Sequence, residues 1–95
     1  MKYLKLFENT KLSKFTIVTF EHGEYVKSLY IDGKLHIYGD YYHNKIDELI
    51  NGFIDGAKWA GTNIEVDKIT CKNRKISEDV CENGGIPPKY IQELT

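Results

Sequence analysis

Apolar and polar residues alternate along the first part of the chain and then change period. Alternation over Lys14–Phe20, over Tyr25–Ile31 and again from Leu35 to Tyr38 predicts three strands. From Asn44 to Ala60 the apolar residues recur every three or four positions, which predicts an amphipathic helix. A last stretch, Asn63–Cys71, predicts a fourth strand with a bulge at Asp67-Lys68. The order β-β-β-α-β predicts an α+β fold, an antiparallel three- to four-stranded meander sheet packed on one long amphipathic helix.

Two turn sequences set the predicted strand pairing. Ile31-Asp32-Gly33-Lys34 is typical of a type I′ hairpin, and Glu21-His22-Gly23-Glu24 is a weaker example of the same turn. Two-residue loops place seven residues on a second, unusually aromatic face of the sheet: Val18, Phe20, Tyr25, Lys27, Leu29, His36 and Tyr38. A one-residue change at His22-Gly23 would exchange the two faces of the first strand.

The sequence also indicates which side of the helix is buried and where the helix and the tail segments begin and end. The apolar stripe of the helix consists of Ile46, Leu49, Ile50, Phe53, Ala57 and Ala60. Asn44 with Asp47 resembles a capping box, Gly61 suits a left-handed helix end, and Gly52 and Gly56 indicate a close backbone approach within the fold. In the tail, 72–95, we expect a short helix Ser77–Glu82 capped by Ser77 and a final turn after Pro87-Pro88. Residues 1–95 are therefore expected to form one domain with its core in 14–71.

Composition narrows the classes of partner. The chain has 95 residues, with 13 basic against 14 acidic side chains and a net charge of −1. This balance favours neither nucleic-acid binding by charge nor mimicry of DNA. Lys2, Lys5 and Glu8 interrupt the N-terminal apolar residues, so we expect a cytoplasmic protein with no membrane partner. Cys71 and Cys81, ten residues apart, are expected to be free thiols in that compartment, and a disulfide between them is the alternative.

No catalytic or metal-binding motif accompanies the fold. No serine or cysteine lies in a nucleophile motif, and the three histidines fall in three different predicted elements. Asp40, His43 and Asp47 could approach each other at the helix start but lack a recognised ligand spacing. Asp47, Glu48 and Asp55 lie mainly on the outer side of the helix, where charges usually serve solvation. We therefore expect a protein that is not an enzyme and that needs neither cofactor nor metal.

The aromatic sheet face is the predicted binding surface. It consists of Phe20, Tyr25, Lys27, Leu29, His36 and Tyr38, followed by Tyr41 and Tyr42. Such rings suit contact with a larger protein, which is the first hypothesis. The alternative is a nucleotide, a small signalling molecule or single-stranded nucleic acid stacked on the rings, with Lys27 neutralising phosphate.

Two alternatives to an exposed aromatic face stay open. The N-terminal residues Leu4, Leu6 and Phe7, together with Ile86, Tyr90 and Ile91 of the tail, could cover it as part of the core. The aromatic face could also be explained by a homodimer, formed through this face or through an exposed strand edge.

The order of a twisted hairpin sheet, the helix IDELINGFIDGAKW from Ile46 to Trp59 and a closing strand resembles small phage-encoded inhibitors of bacterial defence, notably compact anti-CRISPR proteins. The resemblance implies a class, namely small accessory proteins that act in the host cytoplasm by binding and blocking a larger protein. This chain departs from the DNA-mimicking members in lacking their acidity. The resemblance carries no binding residues over to this sequence.

Overall fold

The structure, a computed structural model, describes residues 12–22, 24–40, 45–82 and 86–94. Its strands are β1 (Ser13–His22), β2 (Glu24–Ile31), β3 (Lys34–Asp40) and β4 (Ile64–Thr70), and its helices are α1 (Ile46–Trp59), α2 (Arg74–Glu82) and a 3₁₀ helix (Ile91–Leu94). The strands form one sheet in the order β3-β2-β1-β4, with α1 packed on one side and α2 on the other. The α+β class is confirmed.

The predicted antiparallel meander is wrong for the last strand. β4 pairs with β1 in parallel, from Ser13 opposite Ile64 to Thr19 opposite Thr70, so the sheet is mixed. The register of β4 runs without a break, so the bulge expected at Asp67-Lys68 is also absent from it. Strand alternation shows which residues share a face but contains no information about the neighbouring strand. The chain uses α1 to return over the sheet to its far edge, beside β1.

The strand register also differs from the prediction. β1 and β2 are shifted by one residue, so that Phe20 lies opposite Val26 instead of Tyr25. This shift exchanges the two faces of β1 relative to β2, because side chains alternate along a strand. In the next hairpin Leu35 lies opposite Tyr30 as predicted, but a bulge between Leu29 and Tyr30 moves Tyr38 opposite Ser28.

Each side of the sheet has its own core. On the α1 side the buried residues are Phe15, Ile17, Leu29, Ile46, Ile50 and Ile54. On the α2 side they are Val18, Phe20, Val26, Tyr30, Cys71, Val80 and Leu94. Of the tail residues considered as a cover for the second face, Ile91 packs against the α2-side core, whereas Ile86 and Tyr90 are 69% and 51% exposed. Leu4, Leu6 and Phe7 lie outside the described residues.

The ends of the two helices agree with the sequence only in part. Gly61 follows α1 with a φ of +81°, the left-handed conformation predicted for it. The residue before α1 is Lys45, which has a φ of +50° and makes no side-chain capping bond; Asn44, the expected cap, lies outside the described residues. α2 begins at Arg74, earlier than predicted, because Asn73 Oδ1 accepts a hydrogen bond from the Ile76 N–H at 3.2 Å. Ser77 is therefore buried inside the helix and is not its cap.

The tail is held against the β2–β3 hairpin. The Asp32-Gly33 turn has φ angles of +52° and +84°, as a type I′ turn requires. The Ile91 N–H donates to the Gly33 carbonyl, and the Leu35 N–H donates to the Lys89 carbonyl, both at 2.8 Å. Across the described ranges, no helix has the length and apolar character needed to cross a membrane.

Candidate functional site

The predicted aromatic face does not exist as one exposed surface. Phe20 and Leu29 are fully buried, and they lie on opposite sides of the sheet, in the α2-side and α1-side cores respectively. The one-residue shift between β1 and β2 is the physical cause, since it turns Phe20 away from the face that carries Leu29. Neither residue is available to a partner in the folded protein.

The other predicted contact residues have separate environments. Lys27 Nζ lies 2.6 Å from Asp47 Oδ1, so its charge joins α1 to the sheet and is not free to neutralise a ligand. This ion pair also corrects the expectation that Asp47 only faces solvent. His36 and Tyr38 are exposed on the edge strand β3. The Tyr25 side chain, Tyr41 and Tyr42 lie outside the described structure.

An apolar groove lies on the α1 side instead. α1 packs mainly over β2 and β3, and the groove opens between its flank and the start of β1. Its volume is about 750 Å³, and its wall is mostly apolar. The residues lining it are Ser13, Phe15, Ile31, Glu48, Leu49, Gly52, Phe53, Gly56, Ala57 and Thr62. From Glu48 to Ala57 the groove follows α1 for about 14 Å at 1.5 Å per residue.

Leu49 and Phe53 give the groove its exposed apolar surface. Their exposed fractions are 52% and 45%, although the sequence predicted both in the buried stripe. The line that α1 buries runs through Ile46, Ile50 and Ile54, so the helix is rotated and the predicted stripe lies partly on its open edge. The sequence contains a signal for this rotation, because Ile54 extends the spacing of four that Ile46 and Ile50 begin.

The two helix glycines line the same open edge. Apart from α1 itself, a Cβ atom built on Gly52 or Gly56 would meet no atom of the described residues within 4 Å. Within the described part of the chain, the predicted close approach of another backbone is therefore wrong at both positions. Trp59 follows Gly56 by three residues, which places it on the same side of α1, and it is 92% exposed.

Charges of both signs lie near the groove. Glu48 lines it, and Asp55 lies seven residues further along α1, on the same line of the helix surface. On the strand side Val66 is 37% exposed beside Phe15, and Lys68 shares its face of β4. Glu48, Asp55 and Lys68 form no ion pair with another residue of the described ranges. Among the described residues that line the groove, Glu48 is the one with a charge. Lys45, which is exposed and precedes Leu49 by four residues, lies on the same side of α1.

Groups able to bind a metal ion are not clustered in the described parts of the chain. No three His, Cys, Asp or Glu side chains lie close enough together there to hold an ion. His43, one of the residues considered for such a site, lies outside the described ranges. Cys71 and Cys81 are both free thiols.

Comparisons with protein-family models, with curated protein sequences and with solved structures find no match to this chain.

Proposed function

We propose that this protein is a non-enzymatic binding module that binds and occupies a larger protein partner. The contact surface is the apolar groove beside α1, called the α1 groove below. The observation that carries the proposal is the exposure of Leu49 and Phe53 beside a groove of about 750 Å³. Neighbouring apolar side chains of this size that stay half exposed are typical of interaction sites. Trp59, at the same flank, adds the residue type most enriched among residues that dominate binding energy. Membership of the phage-encoded inhibitors of bacterial defence stays a prediction from the sequence.

The nucleotide-binding alternative has less support. Its stacking platform included Phe20, which is buried, and its phosphate-neutralising residue Lys27 is paired with Asp47. His36 and Tyr38 remain exposed, but both lie on β3 alone.

Site-specific photocrosslinking followed by reconstitution tests the proposal. A benzoylphenylalanine residue is placed at position 53 or, as a control, at position 86, in cells from which the gene comes. Ile86 is 69% exposed and belongs to the tail, away from the groove residues. Any protein captured only from position 53 is purified and titrated by calorimetry against the wild type, Leu49→Gln/Phe53→Gln and Ile86→Gln.

We expect stoichiometric binding to the wild type, affinity at least about tenfold weaker for the double variant, and no change for Ile86→Gln. Equal affinity of the double variant and the wild type, or no capture from position 53, would overturn the proposal. Urea denaturation of each variant shows whether it is folded.

A further inference from the structure

The helix layer on the α1 side leaves part of the sheet uncovered. α1 contacts mainly β2 and β3, and a helix about 10 Å across covers about two strands that lie about 4.8 Å apart. Among the described elements, α1 is the only helix on this side, and Val66 of β4 is 37% exposed. A complete layer over β1 and β4 therefore needs a second apolar segment beside α1.

The start of β1 brings the N-terminal residues to the α1 groove. Ser13, the first residue of β1, lines the groove, and its N–H donates to the Asn63 carbonyl at 2.9 Å. Thr62, the residue before Asn63, lines the groove at the same end. Leu12 is 49% exposed. Residues 1–11, which lie outside the described structure, are therefore tethered at one end of the groove.

The length and sequence of residues 1–11 suit this groove. The segment is MKYLKLFENTK, with apolar side chains at Leu4, Leu6 and Phe7 and a turn-favouring residue at Asn9. A chain that turns back at Asn9 would run beside α1 toward its N-terminal end. Eight residues span about 12 Å as a helix and about 26 Å when extended, against about 14 Å for the groove. The segment is thus long enough in either conformation.

Tethering favours this segment over a free occupant. A short flexible tether gives an effective concentration on the order of millimolar. A second copy of the chain or another protein at micromolar concentration is about a thousandfold more dilute. The segment needs only modest affinity for Leu49 and Phe53, which are 52% and 45% exposed, to cover them most of the time.

We infer that residues 1–11 fold back over the α1 groove and pack their apolar side chains on Leu49 and Phe53. Resting on the proposed function, this contact also regulates the site, because the segment must leave the groove before the partner enters. The apparent affinity for the partner is then reduced in proportion to the fraction of molecules whose groove is free.

Nuclear Overhauser effects in the full chain test the inference directly. The isotope-labelled wild type is compared with Leu4→Asp/Leu6→Asp/Phe7→Asp, called the segment variant. The control is Lys2→Ser/Lys5→Ser, which changes the same segment but keeps those three apolar residues. A synthetic peptide of residues 1–11 is then titrated into the segment variant, with and without the additional change Leu49→Gln/Phe53→Gln. The amide spectrum of each variant shows whether it is folded.

We expect Overhauser effects between the apolar side chains of the segment and those of Leu49 and Phe53, in the wild type and in the control. The segment variant should lose them, and the added peptide should restore the wild-type chemical shifts of both groove residues. Leu49→Gln/Phe53→Gln should weaken binding of the peptide at least about tenfold.

Three results would overturn the inference. One is identical chemical shifts of Leu49 and Phe53 in the wild type and the segment variant. Another is that the segment contacts a different surface. In a mixture of differently labelled chains, Overhauser effects found only between chains would assign the groove to a second copy.

The protein captured from position 53 separates this inference from the proposed function. It should bind the segment variant at least about fivefold more tightly than the wild type. Equal affinity for the two would overturn the regulatory role. If the segment contacts the groove but no protein is captured, the proposed function fails and the inference stands. If the partner requires Leu49 and Phe53 but the segment does not contact them, the inference fails and the proposed function stands.

Discussion

Tyr30 joins the middle of the sheet to the C-terminal tail. Its ring is fully buried in the α2-side core, and its hydroxyl donates a hydrogen bond of 2.5 Å to the Pro88 carbonyl. Burial raises the pKa of Tyr30 from its ordinary value of 10 to about 12. The folded protein thus keeps the phenol protonated where the unfolded chain would release the proton. This one residue makes the attachment of the tail sensitive to alkaline pH.

The expected stability change follows from that difference in pKa. Between pH 10 and pH 12 the unfolded state binds fewer protons than the folded state, so the free energy of unfolding falls as pH rises, by about 1.4 kcal/mol per pH unit at most. The contribution is fully present below pH 10. Tyr30→Phe removes the hydrogen bond to Pro88, so its free energy of unfolding should be about 1 kcal/mol below that of the wild type at neutral pH. The variant should also lack the decline in stability that Tyr30 causes between pH 10 and pH 12.

Urea denaturation at a series of pH values measures both effects. Tyr38→Phe is the matched control, because it removes a hydroxyl from a ring that is 44% exposed, and its stability should change by less than about 0.5 kcal/mol at neutral pH. An alkaline decline in Tyr30→Phe as steep as in the wild type would show that other groups cause it.

At the scale of the elements, features that depend on neighbouring residues could be predicted from the sequence, whereas the pairing of strands could not. The Asp32-Gly33 hairpin, the helix over 46–59 and the left-handed Gly61 could all be read from the sequence, because each depends on residues that are neighbours in the chain. The parallel position of β4 and the bulge between Leu29 and Tyr30 could not, because they depend on contacts distant in sequence. The site followed the same division: a one-residue shift between β1 and β2 removed the predicted surface, and a small rotation of α1 exposed another.

The glycines of α1 and the glycine that follows it give an element-scale prediction. Gly52→Ala and Gly56→Ala should each stabilise the protein by up to about 1 kcal/mol, because alanine favours the helix and its Cβ meets open space. Gly61→Ala should destabilise it by about 1 to 2 kcal/mol, because Gly61 has a φ of +81°. Urea denaturation of the three variants checks the signs. Destabilisation by Gly52→Ala would mean that the wall of the groove is already occupied.

In the described sheet no strand pairs with the outer edge of β4, and the charges on this strand act against its pairing with a second copy. At one end of β4 the Ser13 N–H donates to the Asn63 carbonyl, and at the other end the Cys71 N–H donates to the Thr19 carbonyl. The odd-numbered residues of β4 therefore bond to β1, and the backbone groups of its even-numbered residues face outward. Antiparallel self-pairing centred on Val66 would set Glu65 against Asp67 of the copy. Centred on Asp67 or Lys68, it would set that residue against itself. Like charges therefore oppose each of these registers, most directly at Lys68, because the Asp67 carboxylate already lies 3.1 Å from Lys14 Nζ.

At the scale of the whole molecule, one sheet serves two separate cores. Cys71 lies in the α2-side core, and Cys81 packs against it with its Sγ donating to the Phe20 carbonyl at 3.1 Å. Both thiols therefore become reactive when the α2 side opens, whatever happens on the α1 side. Among the described residues, two backbone hydrogen bonds join the tail to the sheet, from Ile91 N–H and from Leu35 N–H. We therefore expect this side to open before the protein unfolds as a whole.

Two matched core truncations separate local from global opening. Leu94→Ala acts on the α2 side and Ile54→Ala on the α1 side, where the wild-type residues are 6% and 9% exposed, and each should cost about 2 to 5 kcal/mol. Leu94→Ala should accelerate labelling of the thiols by a disulfide reagent more than its loss of global stability explains, because it weakens the layer that covers them. In Ile54→Ala the labelling should rise only in proportion to the stability lost in urea denaturation. If both variants follow that proportion, the two cores open only together and the sheet with both its layers is a single cooperative unit.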